Sequence, residues 1–190
     1  MNASSASASI VSDERDPLIL VDADDNEIGS LDKAACHDGD GILHRAFSLF
    51  VLDGEGRVLL QQRASGKRLW PGFWSNSCCS HPRRGETMEE AIHRRLEQEL
   101  GLHCTLRRLF RFQYQARYGA AGSEHELCSV YAGRADGEPR INESEISAWR
   151  WITPAALDAE LEADAGAFTP WLHIEWARIR SSFMPQLAAL

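Results

Sequence analysis

Apolar residues recur along the chain in two different spacings, one typical of strands and one typical of helices. Short apolar or alternating runs are separated by turns rich in Asp, Asn and Gly, which predicts β-strands. The Asp-Gly-Glu-Gly turn at residues 53–56 lies between two such runs and predicts a β-hairpin. The predicted strands cover residues 17–21, 27–29, 44–52, 57–62, 106–117, 124–134 and 149–152.

The clearest predicted helix covers residues 86–100, where four apolar residues recur at helical spacing: Met88, Ala91, Ile92 and Leu96. Gly101 follows as a C-terminal stop. Three further helices are predicted from capping residues and from proline at the first turn. They run from Ser30 to Ala35, from Thr153 to about Glu162, and from Thr169 onwards, the last with Trp171, Ile174 and Ile179 towards the core.

Strands mixed with helices, without a repeat or a linker, predict one α/β (α+β) domain over residues 17–190. A domain of this size can bury a sizeable core. Residues 1–16 are rich in Ser and Ala and then charged, so a disordered N-terminal tail is expected there.

Composition narrows the function classes. The net charge of −8 argues against a nucleic-acid-binding protein. The five cysteines show no disulfide framework, and the N-terminus lacks a secretory apolar region, which indicates reduced thiols and a cytoplasmic location. No apolar run approaches the length of a membrane span, so no membrane partner is expected.

Residues 76–82 carry the most informative chemistry, because two adjacent thiols, Cys78 and Cys79, lie three and two residues before His81. A thiol near an imidazole can form a metal site or a reactive cysteine, although free cysteine is also a common small buried residue. In a strand, Glu124 and Glu126 would share one face. Together with two upstream histidines they predict a site for Zn²⁺ or Mn²⁺ built from His37, His44, His81, Glu124 and Glu126. Each of these residues alone is more often a surface or core residue.

Residues 80–102 resemble the Nudix box, a loop-helix-loop that binds diphosphate through divalent cations. The spacing of Glu86, Arg94, Glu99 and Gly101 matches the box, but Ser80, Arg95 and Gln98 replace a glycine and two glutamates. Hydrolases of that superfamily use the glutamate cluster to activate water. The departures therefore favour a Nudix fold, with a mixed β-sheet sandwiched between helices, that binds diphosphate without hydrolysing it.

The chain is identified as a member of one family, the type I isopentenyl-diphosphate isomerases, by motifs that extend from about Leu18 to Trp176. Those motifs are Ala34-Ala-Cys-His37, Leu43-His-Arg-Ala-Phe47, Gln62-Arg-Ala-Ser-Gly-Lys67, Trp70-Pro-Gly-Phe-Trp74, Ser75-Asn-Ser-Cys-Cys-Ser-His-Pro82, Tyr114, Glu124-His-Glu126 and Phe168-Thr-Pro-Trp171. The resemblance implies interconversion of isopentenyl and dimethylallyl diphosphate.

The same resemblance implies residue roles. Cys79 matches the catalytic cysteine, Glu126 the acid that handles the substrate proton, and Tyr114 its hydrogen-bonded partner. The ligands of one Mn²⁺ or Zn²⁺ are matched by His37, His44, His81, Glu124 and Glu126. Glu99 matches the ligand of a Mg²⁺ that arrives with the diphosphate. The substrate-binding residues implied are Lys33, Arg63, Lys67, Arg95 and, over the isoprenoid, Trp171.

Other functions fit the sequence less well. A Nudix hydrolase of a diphosphate-containing substrate is the runner-up; an inactive binding protein or a structural zinc protein leaves more of the motifs unexplained. The expected partner is a small molecule, and a monomer is expected with a dimer left open. Surface or packing roles are expected for His93, His103, His125 and His173.

Overall fold

The computed structural model describes residues 10–190. Within them, nine strands join one sheet and five helices pack around it. The strands are β1 (Pro17–Val21), β2 (Glu27–Asp32), β3 (His44–Leu52), β4 (Val58–Arg63), β5 (Trp74–Ser75), β6 (Cys78–Ser80), β7 (Leu106–Tyr118), β8 (Gly122–Arg134) and β9 (Ile146–Ile152). The helices are α1 (Lys33–Cys36), α2 (Met88–Leu100), α3 (Pro154–Ala163), α4 (Pro170–Ser182) and α5 (Met184–Ala188).

Strand β3 is the centre of the sheet. It pairs with β8 in parallel along its whole length, and it pairs antiparallel with β6 at Phe47, Ser48 and Leu49. Strand β8 continues into a long hairpin with β7, while β4 pairs with β9 and β5. The sheet is therefore mixed, as expected, and its central strand brings the start of β8 beside the end of β6.

The two faces of the sheet bury separate hydrophobic clusters, because successive side chains of a strand point to opposite faces. On β3, Phe50 and Leu52 pack towards α3 and α4, whereas Leu49 and Val51 pack towards α2. Every one of these β3 side chains is buried. Helices thus cover both faces, which confirms the predicted α/β layering.

Helix α2 begins and ends at residues that the sequence marks clearly. Thr87 accepts a hydrogen bond from the Glu90 backbone, and the Glu90 carboxylate accepts one from the Thr87 backbone, which is a capping box. Gly101 ends the helix with φ of 61°, in the left-handed region that glycine adopts without strain. The predicted helix is confirmed, except that it starts at Met88 rather than at Glu86.

Two predicted details were wrong, and one helix was missed. Ser30 does not cap a helix, since β2 pairs with β1 as far as Asp32 and α1 begins only at Lys33. Ile174 points to solvent and is 44% exposed, because the buried face of α4 instead carries a carboxylate at Glu175. Helix α5 was not predicted.

The N-terminal segment differs in part from the expected tail. Residues 1–9 lie outside the described residues. Residues 10–16 contact the domain: the backbone carbonyl of Val11 accepts a hydrogen bond from Arg95, and the Ser12 hydroxyl accepts one from Lys33. No helix within residues 10–190 is long and apolar enough to cross a membrane.

Candidate active site and metal centre

Three imidazoles and two carboxylates meet where β3, β6 and β8 lie side by side. His37 follows α1, His44 starts β3 and His81 follows β6, while Glu124 and Glu126 lie two apart on β8. Register places His44 opposite Glu126. The ligand atoms of His37, His44, His81 and Glu124 all lie within 4.8 Å of one another.

Glu126 completes the cluster at its inner side. Its Oε1 lies 3.2 Å from Nε2 of His81 and 3.8 Å from Nε2 of His44. Its Oε2 accepts a hydrogen bond of 2.9 Å from the hydroxyl of Tyr114, the residue opposite it on β7. Burial, together with the charge of Glu124, raises the pKa of Glu126, whereas Tyr114 and the imidazoles act in the other direction.

The donor atoms of this cluster fit a divalent transition metal. Nδ1 of His44 donates to the Ile42 carbonyl over 2.7 Å, which leaves a lone pair on Nε2 facing the cluster. Burial lowers the pKa of His44 to about 4 and lowers that of His81 as well, so both rings are neutral, the form that binds metals. Nε2 of His37 and Oε2 of Glu124 lie 3.1 Å apart, yet neither completes a hydrogen bond, as expected for atoms that share an ion.

The adjacent cysteines take opposite sides of β6. Cys78 is fully buried in the cluster under α2. Cys79 lines a small inner cavity beside the metal ligands. There its thiol donates to Oδ1 of Asn76 over 2.8 Å and lies 3.4 Å from the hydroxyl of Ser48. Burial, and then the charge of Glu175, raise the pKa of Cys79, while Arg63 opposes this shift.

That inner cavity brings most of the predicted site residues together. It measures about 50 Å³ and lies against an outer cavity of about 240 Å³. The two cavities share the lining residues Ser12, Lys33, His37, Arg63, Lys67, Glu124 and Glu145. The wall of the inner cavity contains Ser12, Lys33, His37, Arg63, Lys67, Cys79, Ser80, His81, Arg95, Tyr114, Glu124, Glu126, Glu145 and Trp171.

The four predicted diphosphate-binding cations line this wall, but three are paired with carboxylates. Nζ of Lys33 lies 3.6 Å from the Glu14 carboxylate. Glu145 forms ion pairs with Lys67 and, at 3.4 Å, with Arg95. Arg63 is held by backbone carbonyls of Leu69 and Trp70. The cations therefore form one positively charged wall whose charge is partly balanced by the protein itself.

Glu99 is not part of the cavity wall. Its carboxylate lies beneath Arg95, whose guanidinium donates to it from two nitrogens, and the side chain is almost completely buried. Glu86 is likewise paired, with Arg94. The helix carboxylates that remain from the Nudix box are thus bound to arginines in this structure.

Trp171 forms the apolar part of the wall. Its indole nitrogen donates to Ser75 and Asn76, the Arg63 guanidinium lies 5.2 Å from its ring centroid, and Tyr114 lies beside it. Surface or packing roles were expected for His93, His103, His125 and His173. None of the four lines the inner cavity within the described residues. His103 is exposed, and His93, His125 and His173 are half-buried.

Sequence reasoning missed several residues that shape the cavity, including Asn76, Ser48 and Glu145. Asn76 is fully buried and donates to the backbone carbonyls of Leu49 and Cys78, so its Oδ1 is fixed towards Cys79. Its position inside the motif at residues 75–82 was the available signal. Glu145 lies in a loop without periodicity, so no local pattern marks it.

Known proteins resemble this chain in both sequence and fold. The NUDIX domain matches residues 42–172. A protein of Burkholderia multivorans named isopentenyl-diphosphate Delta-isomerase is 46% identical over 82% of this chain and 88% of its own length. A Photorhabdus laumondii protein named isopentenyl-diphosphate Delta-isomerase 1 is 40% identical over 90% of this chain and 98% of its own.

Solved structures support the fold. DR0079 from Deinococcus radiodurans superposes with a TM-score of 0.70 at 24% identity, covering 88% of this chain and 99% of its own. A MutT protein from Methanosarcina mazei superposes with a TM-score of 0.60 at 14% identity. The match covers 75% of this chain and 96% of the MutT chain. These matches define a protein of Nudix fold. Within that superfamily, the chain belongs to the isopentenyl-diphosphate Delta-isomerase family.

Proposed function

We propose that this enzyme interconverts isopentenyl diphosphate and dimethylallyl diphosphate by protonating the alkene and deprotonating the adjacent carbon. The observation that carries the proposal is that one cavity wall contains a carboxyl held by a tyrosine, a thiol, and four cations. These are the groups that a two-proton reaction on a small diphosphate ester requires. The names of the relatives support the same reaction.

Glu126 is the proposed acid and Cys79 the proposed base. The Glu126 carboxyl gives its proton to the terminal alkene carbon, which forms a C–H bond and leaves a tertiary carbocation. The Cys79 thiolate takes a proton from the neighbouring CH₂, and that C–H electron pair becomes the new double bond. Burial raises the pKa of Cys79, so the resting residue is a thiol that must first lose its proton to solvent; the thiolate formed in this way is a strong proton acceptor.

The cation intermediate requires a dry, electron-rich wall. The ring of Trp171 supplies a π face, which attracts positive charge, and its burial excludes water. Lys33, Arg63 and Lys67 are proposed to bind the diphosphate, because Arg and Lys make charge-assisted hydrogen bonds to phosphate oxygens. Tight binding also opposes loss of the allylic diphosphate.

The three histidines and the two β8 glutamates are the proposed ligands of one Mn²⁺ or Zn²⁺. When bound there, the ion supplies positive charge that orients the Glu126 carboxyl and tunes its acidity. Glu99 remains the proposed ligand of a Mg²⁺ that accompanies the diphosphate. Because Arg95 is paired with Glu99 in this structure, a Mg²⁺ held by Glu99 would require Arg95 to leave the carboxylate, and the guanidinium would then be free to bind phosphate.

We further propose that residues 17–190 act as one isomerase domain, since strands from across this range join a single sheet. The direct test incubates purified, metal-reconstituted protein with isopentenyl diphosphate and Mg²⁺. We expect dimethylallyl diphosphate without release of phosphate or pyrophosphate. Release of either without isomerisation would instead favour the Nudix hydrolase, against which the pairing of Glu86 and Glu99 with arginines argues.

A further inference from the structure

Glu175, on the buried face of α4, is an acid that the proposed mechanism does not use. Its side chain is completely buried, and its Oε2 has no hydrogen-bond partner. Within the described residues no Lys, Arg or His forms an ion pair with it. An apolar side chain would fill this position at a lower cost, because burying a carboxyl group is unfavourable. A role beyond packing is therefore indicated.

The contacts of Glu175 lead to Cys79. The Cys128 thiol donates to its Oε1 over 3.7 Å, and Ser48 is close enough to the carboxyl to act on its pKa. The Ser48 hydroxyl lies 3.5 Å from Cys128 and 3.4 Å from the sulfur of Cys79. Ser48 and Cys79 are direct partners across the β3–β6 pair, so their side chains share one face.

Helix geometry explains how α4 reaches this point. Glu175 follows Trp171 by four residues, so both side chains lie on the same face of the helix. Trp171 donates to Asn76, which accepts the thiol proton of Cys79. Glu175 contacts Cys128, whose thiol donates to Ser48, and the Ser48 hydroxyl lies 3.4 Å from the same sulfur. One helix face thus reaches Asn76 directly and Ser48 by way of Cys128.

We propose that Glu175 is a positioning residue for Cys79, acting through the hydroxyl of Ser48. Burial raises the pKa of Glu175 to about 8, so at neutral pH its carboxyl carries a proton. That proton can be donated to Ser48, whose own hydroxyl hydrogen is then directed at the sulfur. The inference rests on the proposed role of Cys79 as the base.

The test compares Glu175→Leu, Glu175→Gln and Ser48→Ala in steady-state isomerase kinetics. Glu175→Leu should lower kcat about 2- to 12-fold, the value of one net hydrogen bond, with KM unchanged because Cys79 makes no diphosphate contact. Glu175→Gln should restore kcat to within about 2-fold, since its amide also donates to Ser48. The Glu175→Leu/Ser48→Ala double variant should be no slower than Ser48→Ala alone.

Ile179→Val is the matched control, because Ile179 is buried on the same helix and does not contact the site. Its kcat and KM should equal those of the wild type. The proposal is overturned if Glu175→Leu keeps the wild-type kcat, if Glu175→Gln is as slow as Glu175→Leu, or if the two substitutions act independently.

A crystal structure of each variant tests the positioning without reference to activity. The Cys79 sulfur should occupy one position in the wild type and in Glu175→Gln, and should shift or split in Glu175→Leu and Ser48→Ala. An unchanged sulfur in all four proteins overturns the inference. A wild type that converts no isopentenyl diphosphate, with the sulfur displaced as expected, would instead refute the proposed function alone.

Discussion

Cys78 and Cys79 show how one peptide bond separates two thiols into different environments. Successive side chains of an extended segment point to opposite faces. Cys78 is therefore fully buried under α2, whereas Cys79 lies in the cavity beside Asn76 and Ser48. Only the second thiol can contact a substrate in this cavity.

We predict that Cys79→Ala abolishes isomerisation while the fold and the metal content stay intact. Cys78→Ala should remain active and lose about 1 kcal/mol of stability, as expected for a small buried cavity. Product formation from isopentenyl diphosphate, metal analysis and thermal unfolding check these outcomes. If the Cys78 variant were inactive and the Cys79 variant active, the assigned base would be wrong by one residue.

Glu126 is predicted to deliver the proton, so Glu126→Gln should reduce turnover by several orders of magnitude. General acid catalysis typically contributes about 10²- to 10⁴-fold, and an unactivated alkene has no easier route. Tyr114→Phe should cost less, because the Tyr114 hydroxyl donates to Oε2 of Glu126 and thus supports the carboxyl. A larger loss in Tyr114→Phe than in Glu126→Gln would identify the tyrosine as the immediate donor.

Solvent deuterium tests the same residue directly. Dimethylallyl diphosphate formed in heavy water should carry deuterium in its methyl groups. Product formed at the full rate without deuterium would refute the protonation–deprotonation scheme, and with it the role of Glu126.

At the scale of elements, local signals predicted most of the structure. Strand β3 matches its predicted bounds, and α2 is predicted from apolar spacing and Gly101, because these signals lie within one element. The short helix α1 was misplaced, since the pairing of β2 with β1 overrides the capping tendency of Ser30. Tertiary pairing of this kind has no local signal.

The buried acids illustrate the same limit at the site. The predicted metal ligands were identifiable because His and Glu recur in motifs, and the structure brings them together. Glu145 and Glu175 are single acidic residues in polar or amphipathic stretches, where exposure is the ordinary expectation. Only the packing of α4 and of the loop before β9 against the cavity reveals their burial.

The start of β8 offers an element-scale prediction through Gly122. A Cβ at this residue would lie 2.1 Å from the backbone carbonyl of His37, and its φ of 134° already disfavours other residues. Gly122→Ala should therefore push the His37 loop away from β8. We expect a loss of at least about 3 kcal/mol in stability, together with weaker metal binding.

Gly119→Ala is the control for this substitution. Gly119 also has a positive φ, of 55°, but a Cβ there meets no atom within 4 Å. It should lose only about 1–2 kcal/mol and keep the wild-type metal affinity. Urea unfolding and metal titration measure both effects. Equal losses in the two variants would show that the contact with His37 is unimportant.

At the scale of the whole molecule, the metal cluster joins segments that are distant in the sequence. Its ligands come from the ends of α1 and β6 and from β3 and β8. A metal that binds only the folded state should stabilise it by about 2.7 kcal/mol at one hundred times the dissociation constant. Substrate-free protein, stripped with a chelator and titrated with Zn²⁺ or Mn²⁺, should bind one ion and gain thermal stability.

His81→Ala should abolish this gain, whereas His103→Ala should retain it, because His103 is exposed and paired with Glu97. Glu99→Gln should also retain it, since Mg²⁺ is expected to reach Glu99 only together with a diphosphate. A reconstituted substrate-free structure without an ion among the five side chains would refute the site.

Glu175 makes the stability of the whole molecule depend on pH. Burial raises its pKa to about 8, far above that of a carboxyl in the unfolded chain, so between these two values only the folded state holds the proton. Its contribution to the free energy of unfolding is therefore fully present at low pH. It is lost as the pH rises, by about 1.4 kcal/mol per unit.

Comparison with Glu175→Gln isolates this effect, because the amide does not titrate while the groups that face it, Cys79, Cys128 and Glu126, are common to both proteins. Between pH 5.5 and pH 7.5 the wild type should lose about 3 kcal/mol of stability relative to the variant, measured by urea unfolding of metal-loaded protein. Above a pH of about 9 the difference should become constant, since both states are then ionised. A difference that is the same at pH 5.5 and at pH 7.5 would show that Glu175 titrates normally in the folded protein, and that the carboxyl behind Ser48 is ionised at neutral pH.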